Sequence, residues 1–479
     1  MSQVSWNDYA GVEGFHGASS QEELEGLNKA LAAGSDQNPP GSAVAGDGFA
    51  LRVESLEKTL KVTTYRMSDI RLFKAINKIP AYNTVEEYNE LSSYGDNDDA
   101  GFVSEGALPT EDSSTFERKF SVVKYMGTTR TVTHVMTMVK PAHDNVIAGE
   151  TVRGTMHLLK MIERALFFGD SSLNSLQFDG YEKLITDNSP STNVIDLRGL
   201  PLSQDVLDDA CLTVSDAPNY GTPTHLHINP KVQADLSKIF YPKERHDTFA
   251  SVTDGIVGNV IRGFTSPAGV VNFEPNKFIT DGGAPNAAAV GAAATRPGTP
   301  TISTSVTTPA SATLSKFTAD DAGSYFMSVV AVNGYGRSAA VAVDASAIAV
   351  AAADKITFGV TPGGSTTVDY YEVYRTLKGG AVGTQRSVLK VANAAGTGET
   401  VISEYNDNIP YATSGFLFQQ NLEAMSLKQL APMLKMPLAQ IDARIRWMQL
   451  IYLVPVLYAP GKCALIKNIG RASGYVGAP

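Results

Sequence analysis

The reading turns on "GFVSEGALPTEDSSTFERKFSVVKYMGTTRTVTHVMT", Gly101 to Thr137. It opens with glycine and acid, turns at Leu108-Pro109, then alternates threonine, valine, lysine and aromatic residues. Such alternation marks strands with one wet face. A long β-hairpin loop is therefore expected over residues 95–133. It holds no nucleophile and no metal cluster. Its purpose has to be sought in what it touches.

Downstream of Pro141 the period changes. Val152, Met156, Leu159, Ile162 and Leu166 step by four, three, three and four residues, one face of a helix from about Asp144 to Phe168. Gly169 stops it. At about 1.5 Å per residue the helix is roughly 37 Å long, a spine rather than a connector. Upstream, residues 49–94 read as a mixed connector with a short helix near Thr84 to Leu91. Residues 1–48 are rich in Gly, Ser, Asn and Pro around one helix, where Ser20 and Glu23 form a capping box and Leu24, Leu27 and Leu31 share a side up to Gly34. Three leucines cannot bury themselves, so this arm either docks on another surface or frays.

Further along, Leu202 to Val214 has helical spacing. "THLHINP" reads as a strand that ends at Asn229-Pro230 and feeds a helix through Val232, Leu236 and Ile239. This alternation implies an α+β domain to about residue 283. A small-residue linker, "GGAPNAAAVGAAATRPGTPT", follows. Residues 297–410 then carry only strand signals: "SYFMSVVAVNGYGRSAAVAV" gives two strands around an Asn-Gly turn, and "TTVDYYEVYRT" another. That pattern predicts an all-β sandwich. Past Pro410 a helix is expected near Leu427 to Lys435, then the apolar strand "QLIYLVPVLYAP" and a last one, "CALIKNI". The sandwich thus reads as an insertion into a parent domain.

The totals agree with a globular protein. With 479 residues, 43% hydrophobic and 18% charged, the chain can bury a sizeable core. At roughly 150 residues per domain it has room for two to four domains. A net charge of −10, from 49 acidic and 39 basic residues, argues against a basic nucleic-acid-binding surface. Cys211 and Cys463 lack CxxC spacing and read as buried apolar residues in a reducing cytosol. The N-terminus has no basic start followed by an apolar run, and Trp447 to Ala459 is too short to span a bilayer and contains Pro455. The expected product is soluble and intracellular, with no membrane partner.

Local motifs give no chemistry. "FFGDSSL" imitates a Gly-Asp-Ser nucleophile block at Gly169, Asp170 and Ser171, but it follows a helix, and none of His225, His227 and His246 has an Asp three residues earlier. A helix cap and turn is the simpler account. His225 and His227 would share one face of a strand, yet a third metal ligand could come only from His246 or a distant acid. They are expected on the strand's polar side. "DNDDAG", Asp96 to Gly101, fails as a calcium loop, with Ala100 at its fifth position and Ala107 where a bidentate Glu belongs. No phosphate-binding GxxxxGK[ST], no GxGxxG after a strand, no GxSxG and no HExxH occurs. Asp208 and Asp209 are expected on a solvated helix face.

The order of elements is what carries a resemblance. "FVSEGALP" (Phe102 to Pro109) enters the loop, "ERALFFGD" (Glu163 to Asp170) closes the spine helix, and "HINP" (His227 to Pro230) and "VPVLYAPGKCALIKNI" follow in order. Across about three-quarters of the chain this series resembles the major capsid proteins of tailed bacteriophages, whose fold is shared with encapsulins and the herpesvirus capsid floor. The insert resembles immunoglobulin-like or fibronectin type III modules, though its late-type strand comes first.

The resemblance implies an α+β capsid fold with an inserted β-sandwich: N-terminal arm 1–48, connector 49–94, extended loop 95–133, peripheral domain 134–194 with the spine helix, axial domain 195–296, inserted sandwich 297–410, axial domain again 411–445, and closing peripheral strands 446–479. It implies a non-enzymatic shell subunit without cofactors, catalytic residues or metal. Its main partner would be itself, in hexamers and pentamers, with portal and scaffolding proteins besides. Packaged DNA would lie nearby without sequence-specific binding. The chain would be assembled in the host cytoplasm and reside in the virion. Contacts between subunits fall to the loop's Glu105, Phe116, Glu117, Arg118, Lys119 and Lys124. Some relatives join a Lys to an Asn covalently, and no residue here matches that set. The competing readings are an encapsulin-like compartment, a surface adhesin built on the sandwich, and an esterase using Ser171.

Overall fold

The structure, a computed structural model, describes residues 63–95, 101–139, 145–240, 261–280, 282–311 and 313–472. The N-terminal arm, most of the upstream connector, the acidic run 96–100 and His246 lie outside the described residues. Thr64–Met138 and Val146–Pro479 form one compact unit.

The spine helix spans Val146–Phe168. Its buried stripe is Leu158, Leu159, Ile162, Leu166 and Phe167, while Val152, expected on that face, is exposed. The stripe packs on a four-stranded sheet ordered Lys78–Pro80, Met425–Pro437, Arg444–Leu457 and Lys124–Thr133, meeting Leu427, Ile451, Leu453 and Val456. Gly154 lets the helix approach this sheet closely, because a Cβ there would collide with Gln449, whose amide donates to Thr151 O at 2.8 Å.

A six-stranded mixed sheet forms the second layer, ordered Val194–Asp196, Cys463–Ile469, Thr413–Phe418, His225–Ile228, Gly269–Pro275 and Gly263–Ser266. Helices Gln204–Ser215 and Pro230–Phe240 contribute Leu207, Cys211, Val232 and Leu236 to its core. Ser203 caps the first of them through the Val206 amide.

Between Gly298 and Glu404 every regular element of the described residues is a strand. Met327–Asn333, Tyr370–Arg375 and Arg386–Ala392 lie side by side, with Gly336–Arg337 and Val341–Ala342 against the first. A facing sheet orders Thr400–Glu404, Ile356–Gly363 and Gly298–Thr307. Val329, Phe358, Val360, Tyr371 and Ile402 fill the space between as a separate core. Polar contacts tie this layer pair to the six-stranded sheet: Arg198 to Asp321 at 3.6 Å, Lys316 to Asp196 at 3.3 Å, and Asn468 Nδ2 to the Asp407 carbonyl at 2.8 Å.

Several expectations are corrected. Thr84 to Leu91 is not helical; Val85–Ser93 is a strand paired antiparallel with Thr115–Val122. Leu427 to Lys435 is likewise within a strand, Met425–Pro437, paired with Arg444–Leu457. Its Leu, Lys and Met residues favour helix locally, but the long-range ladder prevails, with irregular register around Pro432. The loop over 95–133 is not a hairpin of its own two strands. Thr115–Val122 pairs back with Val85–Ser93, whereas Lys124–Thr133 joins Arg444–Leu457. Buried Val123 separates the two pairings. The expected boundary near residue 445 also fails, since Met425–Pro437 belongs to the four-stranded sheet and Cys463–Ile469 to the six-stranded one. Finally, His227 is not on a polar side. It is wholly buried, its ring 5.9 Å from Phe167 and 5.5 Å from Phe418.

Glu163 on the spine helix is buried and accepts four hydrogen bonds: from the amides of Arg71 (3.1 Å), Leu72 (2.8 Å) and Phe73 (2.9 Å), and from Asn276 Nδ2 (2.6 Å). The three amides open the short helix Leu72–Ala75, whose first donors have no partner within the helix. Glu163→Ala leaves them buried and unpaired, so urea denaturation should show a loss of about 2–4 kcal/mol, with Glu163→Gln losing less.

Burial drives the His227 pKa down to about 3, His225 and Arg71 adding to the effect and Gln420 opposing it. The unfolded chain takes up this proton near pH ~6.5, the folded one only near 3. Stability is therefore full above ~6.5 and falls as pH drops towards 3, by up to ~1.4 kcal/mol per unit. His227→Phe should flatten that decline in urea titrations between pH 7 and 4.

Candidate functional site

The strands Val85–Ser93 and Thr115–Val122 make a two-stranded sheet with no other strand beside it among the described residues. An isolated hairpin of this kind is marginal unless one face is covered. Opposed residues point the same way, so register assigns the faces. Val85↔Val122, Glu87↔Phe120, Asn89↔Arg118 and Leu91↔Phe116 share one face; Glu86↔Ser121, Tyr88↔Lys119 and Glu90↔Glu117 share the other.

The second face meets the body of the same chain. Tyr88 stacks edge-on against Tyr458 with ring centres 5.1 Å apart, and Lys428 lies 3.6 Å from Glu86. Burial, with Glu90 nearby, pushes the Tyr88 hydroxyl up to about 12. Lys119 sits 2.6 Å from Glu90 and 3.9 Å from Glu117. The first face is open. Phe116 is 70% exposed and Phe120 69%, with Val85, Leu91 and Val122 also exposed. The usual arrangement is inverted here, with polar residues turned towards the chain's own body and apolar ones towards solvent.

Beyond the strands, in the described residues 94–95 and 101–114, Ala107 N donates to Ser104 O and Ser114 Oγ to Tyr94 O. Tyr94, Phe102 and Leu108 are almost fully exposed there. Exposed apolar side chains grouped on one element are the kind of surface that interaction sites use.

Of the residues expected at subunit contacts, Phe116 and Arg118 stand on the open face, Arg118 being 3.2 Å from Glu87. Glu117 and Lys119 lie on the opposite face, and Glu105 is exposed in the tip. Lys124 is not in the hairpin at all; it starts the next strand and its ammonium donates to Ser175 O at 2.7 Å. The sequence reading missed Phe120, Val122, Val85 and Leu91. Phe116, Phe120 and Val122 are separated by even steps, and that spacing was the available signal.

Other candidate positions are ordinary structure. Gly169 to Ser171 is the turn after the spine helix: Gly169 N bonds Ala165 O, and Ser171 N bonds Asp179 Oδ1 at 2.8 Å. Cys211 and Cys463 are free and buried. Among the described residues no group of three His, Cys, Asp or Glu could hold a metal ion, and no helix is long and apolar enough to cross a membrane.

A spine helix on a sheet, a projecting hairpin and a second mixed layer thus make up a fold whose hairpin leaves apolar side chains exposed. The major capsid protein of Staphylococcus phage K is 26% identical over 440 residues, covering 88% of this chain and 91% of that one. A relative from Enterococcus phage phiEF24C, described by the same role, is 26% identical over 442 residues, covering 88% and 90%. Along nearly nine-tenths of its length the chain is thus similar to phage major capsid proteins. No protein-family model matches it. Among solved structures, the capsid of a native GTA particle aligns with a TM-score of 0.48 and 8% identity, covering 91% of this chain and 100% of that one. That of Mycobacterium phage Adephagia gives 0.45 and 9%, covering 90% and 97%.

Proposed function

We infer that the chain is the major capsid protein of a tailed phage, the repeated subunit of the icosahedral shell that encloses its double-stranded DNA. The relationship to phage major capsid proteins along nearly nine-tenths of the chain carries this reading. The hairpin supplies the physical mechanism. A face with two exposed phenylalanines and three aliphatic residues favours burial against another copy, at about 25 cal/mol per Å² of apolar area. Closed symmetry then multiplies a modest contact over the whole shell.

The finer assignment follows from this reading. Copies gather as hexamers and pentamers, with portal and scaffolding proteins as further partners. The net charge of −10 keeps packaged DNA mobile beside the wall instead of bound to it. Residues 297–410 form an immunoglobulin-like insertion on the outer side, where added bulk is tolerated. The extended loop comprises Val85–Val122 with its tip, and Phe116, Phe120 and Arg118 meet the neighbouring subunit.

Expression of the chain with its phage head proteins, followed by sedimentation and electron microscopy, should yield uniform closed shells. Phe116→Ser with Phe120→Ser should lower shell yield at least tenfold and leave the subunit's thermal unfolding unchanged. A wild-type chain that stays monomeric under these conditions overturns the reading; full assembly of the double variant overturns the role of the hairpin face.

A further inference from the structure

A cavity of about 240 Å³ lies between the short helix Leu72–Ala75 and the strands His225–Ile228 and Gly269–Pro275 of the six-stranded sheet. Ser68, Arg71 and Lys74 line one wall, and His225, His227 and Glu274 the other. Parallel pairing sets His227 beside Glu274, and the two histidines, two positions apart, share a face of their strand. Arg71 and Glu274, 203 positions apart in the chain, join the walls with an ion pair of 2.6 Å.

His227 is the deepest of these residues. It is wholly buried, and neither ring nitrogen has a hydrogen-bond partner among the described residues. Gln420 faces the ring, and its own Oε1 is also without a partner. Buried polar groups left in this state are uncommon and costly. Burial keeps both imidazoles neutral. Whichever nitrogen of His227 carries the proton, the other must accept one, so a ligand that completes the ring offers an O–H as well as an acceptor. Nδ1 of His225 is engaged by Thr224 Oγ1 at 2.9 Å, which leaves Nε2 to serve the cavity. Arg71 and Lys74 against Glu274 leave an excess of one positive charge here, in a chain of net charge −10. A guanidinium has several donors, and Glu274 takes one of them. The Lys74 ammonium, at the exposed rim, donates to the Met67 carbonyl and has further protons to give.

We propose that this cavity binds free hydrogen phosphate, with anionic oxygens on Arg71 and Lys74 and the hydroxyl turned to His227. At about 30 Å³ per water, the space of roughly eight waters holds a tetrahedral oxyanion with solvent at its mouth. Water alone completes the ring but leaves the cations unanswered. Ionised carboxylates and chloride accept and cannot donate, and a phosphodiester likewise has no O–H. A phosphomonoester gives up its last proton near pH ~6, so at neutral pH it is mostly without one. Free phosphate keeps its O–H at that pH. Bound there, it bridges the two walls beside the helix that Glu163 caps, and so braces the root from which the hairpin leaves. The site is independent of the shell reading.

Isothermal titration calorimetry of the full-length chain with sodium phosphate at pH 7, ionic strength held constant with chloride, should give one site per chain. Sulfate, a tetrahedral dianion with no proton, and adenosine monophosphate should each bind at least tenfold more weakly. Lys74→Gln should weaken phosphate at least tenfold with thermal unfolding unchanged, and His227→Phe should abolish binding. In the wild-type chain labelled with nitrogen-15 at histidine, the ring signals that His227→Phe lacks should move with phosphate and stay in place with sulfate. Phosphate should also raise the wild-type unfolding temperature by a few degrees more than equal sulfate does, which separates site binding from general salting effects. No binding heat and no movement of the His227 signals overturns the proposal and leaves the cavity to water. Equal affinity for phosphate and sulfate, unchanged in Lys74→Gln, overturns it as an adventitious ion only. Adenosine monophosphate binding as tightly as phosphate overturns the free-ion assignment and gives the site to a phosphomonoester.

Discussion

Glu163 is the joint on which the rest of the structure depends. Its carboxyl group, wholly buried, bonds the amides that begin Leu72–Ala75 and the side chain of Asn276. Segments about ninety residues before it and about a hundred after it are thereby fixed to the spine helix. A buried polar group is tolerated because each hydrogen bond is made, and the same low-dielectric setting makes its loss expensive. The short helix it caps leads directly into Lys78–Pro80 and then into the hairpin, so the direction in which the hairpin leaves the body is set here.

From that root two kinds of surface diverge. Inside, the spine helix and its sheet bury a dense set of aliphatic and aromatic side chains, with Phe167, Phe416 and Phe418 clustered round the neutral ring of His227. Outside, the hairpin turns phenylalanine and valine to water and keeps Lys119, Glu90 and Glu86 towards the body. The inversion is unfavourable for a lone subunit and favourable for one that repeats. A contact that each copy both gives and receives need not be strong.

Much of this was legible from residue spacing. The spine helix lies within two residues of its expected ends, and "CALIKNI" is the strand Cys463–Ile469. "HLHI" is a strand leading into the helix that begins at Pro230, and "YYEVYR" is the strand Tyr370–Arg375. In each case local period and punctuation agree with the fold. Where they misled, at Thr84 to Leu91 and Leu427 to Lys435, helix-favouring residues sit in strands held by distant partners. The open face was half legible: Phe116 and Arg118 were singled out, but Phe120 and Val122 were not, because reading a face requires knowing which strand lies opposite.

The sequence by itself determined the elements whose periodicity is strong and the absence of familiar catalytic motifs, since spacing and composition need no partner to be read. Only the tertiary structure decided that Thr115–Val122 pairs back to Val85–Ser93 and that His227 is core. It alone set the apolar side of the hairpin facing water. Strand pairing is a long-range choice: a period of two says that a strand has two faces, and only its neighbours decide which one is covered.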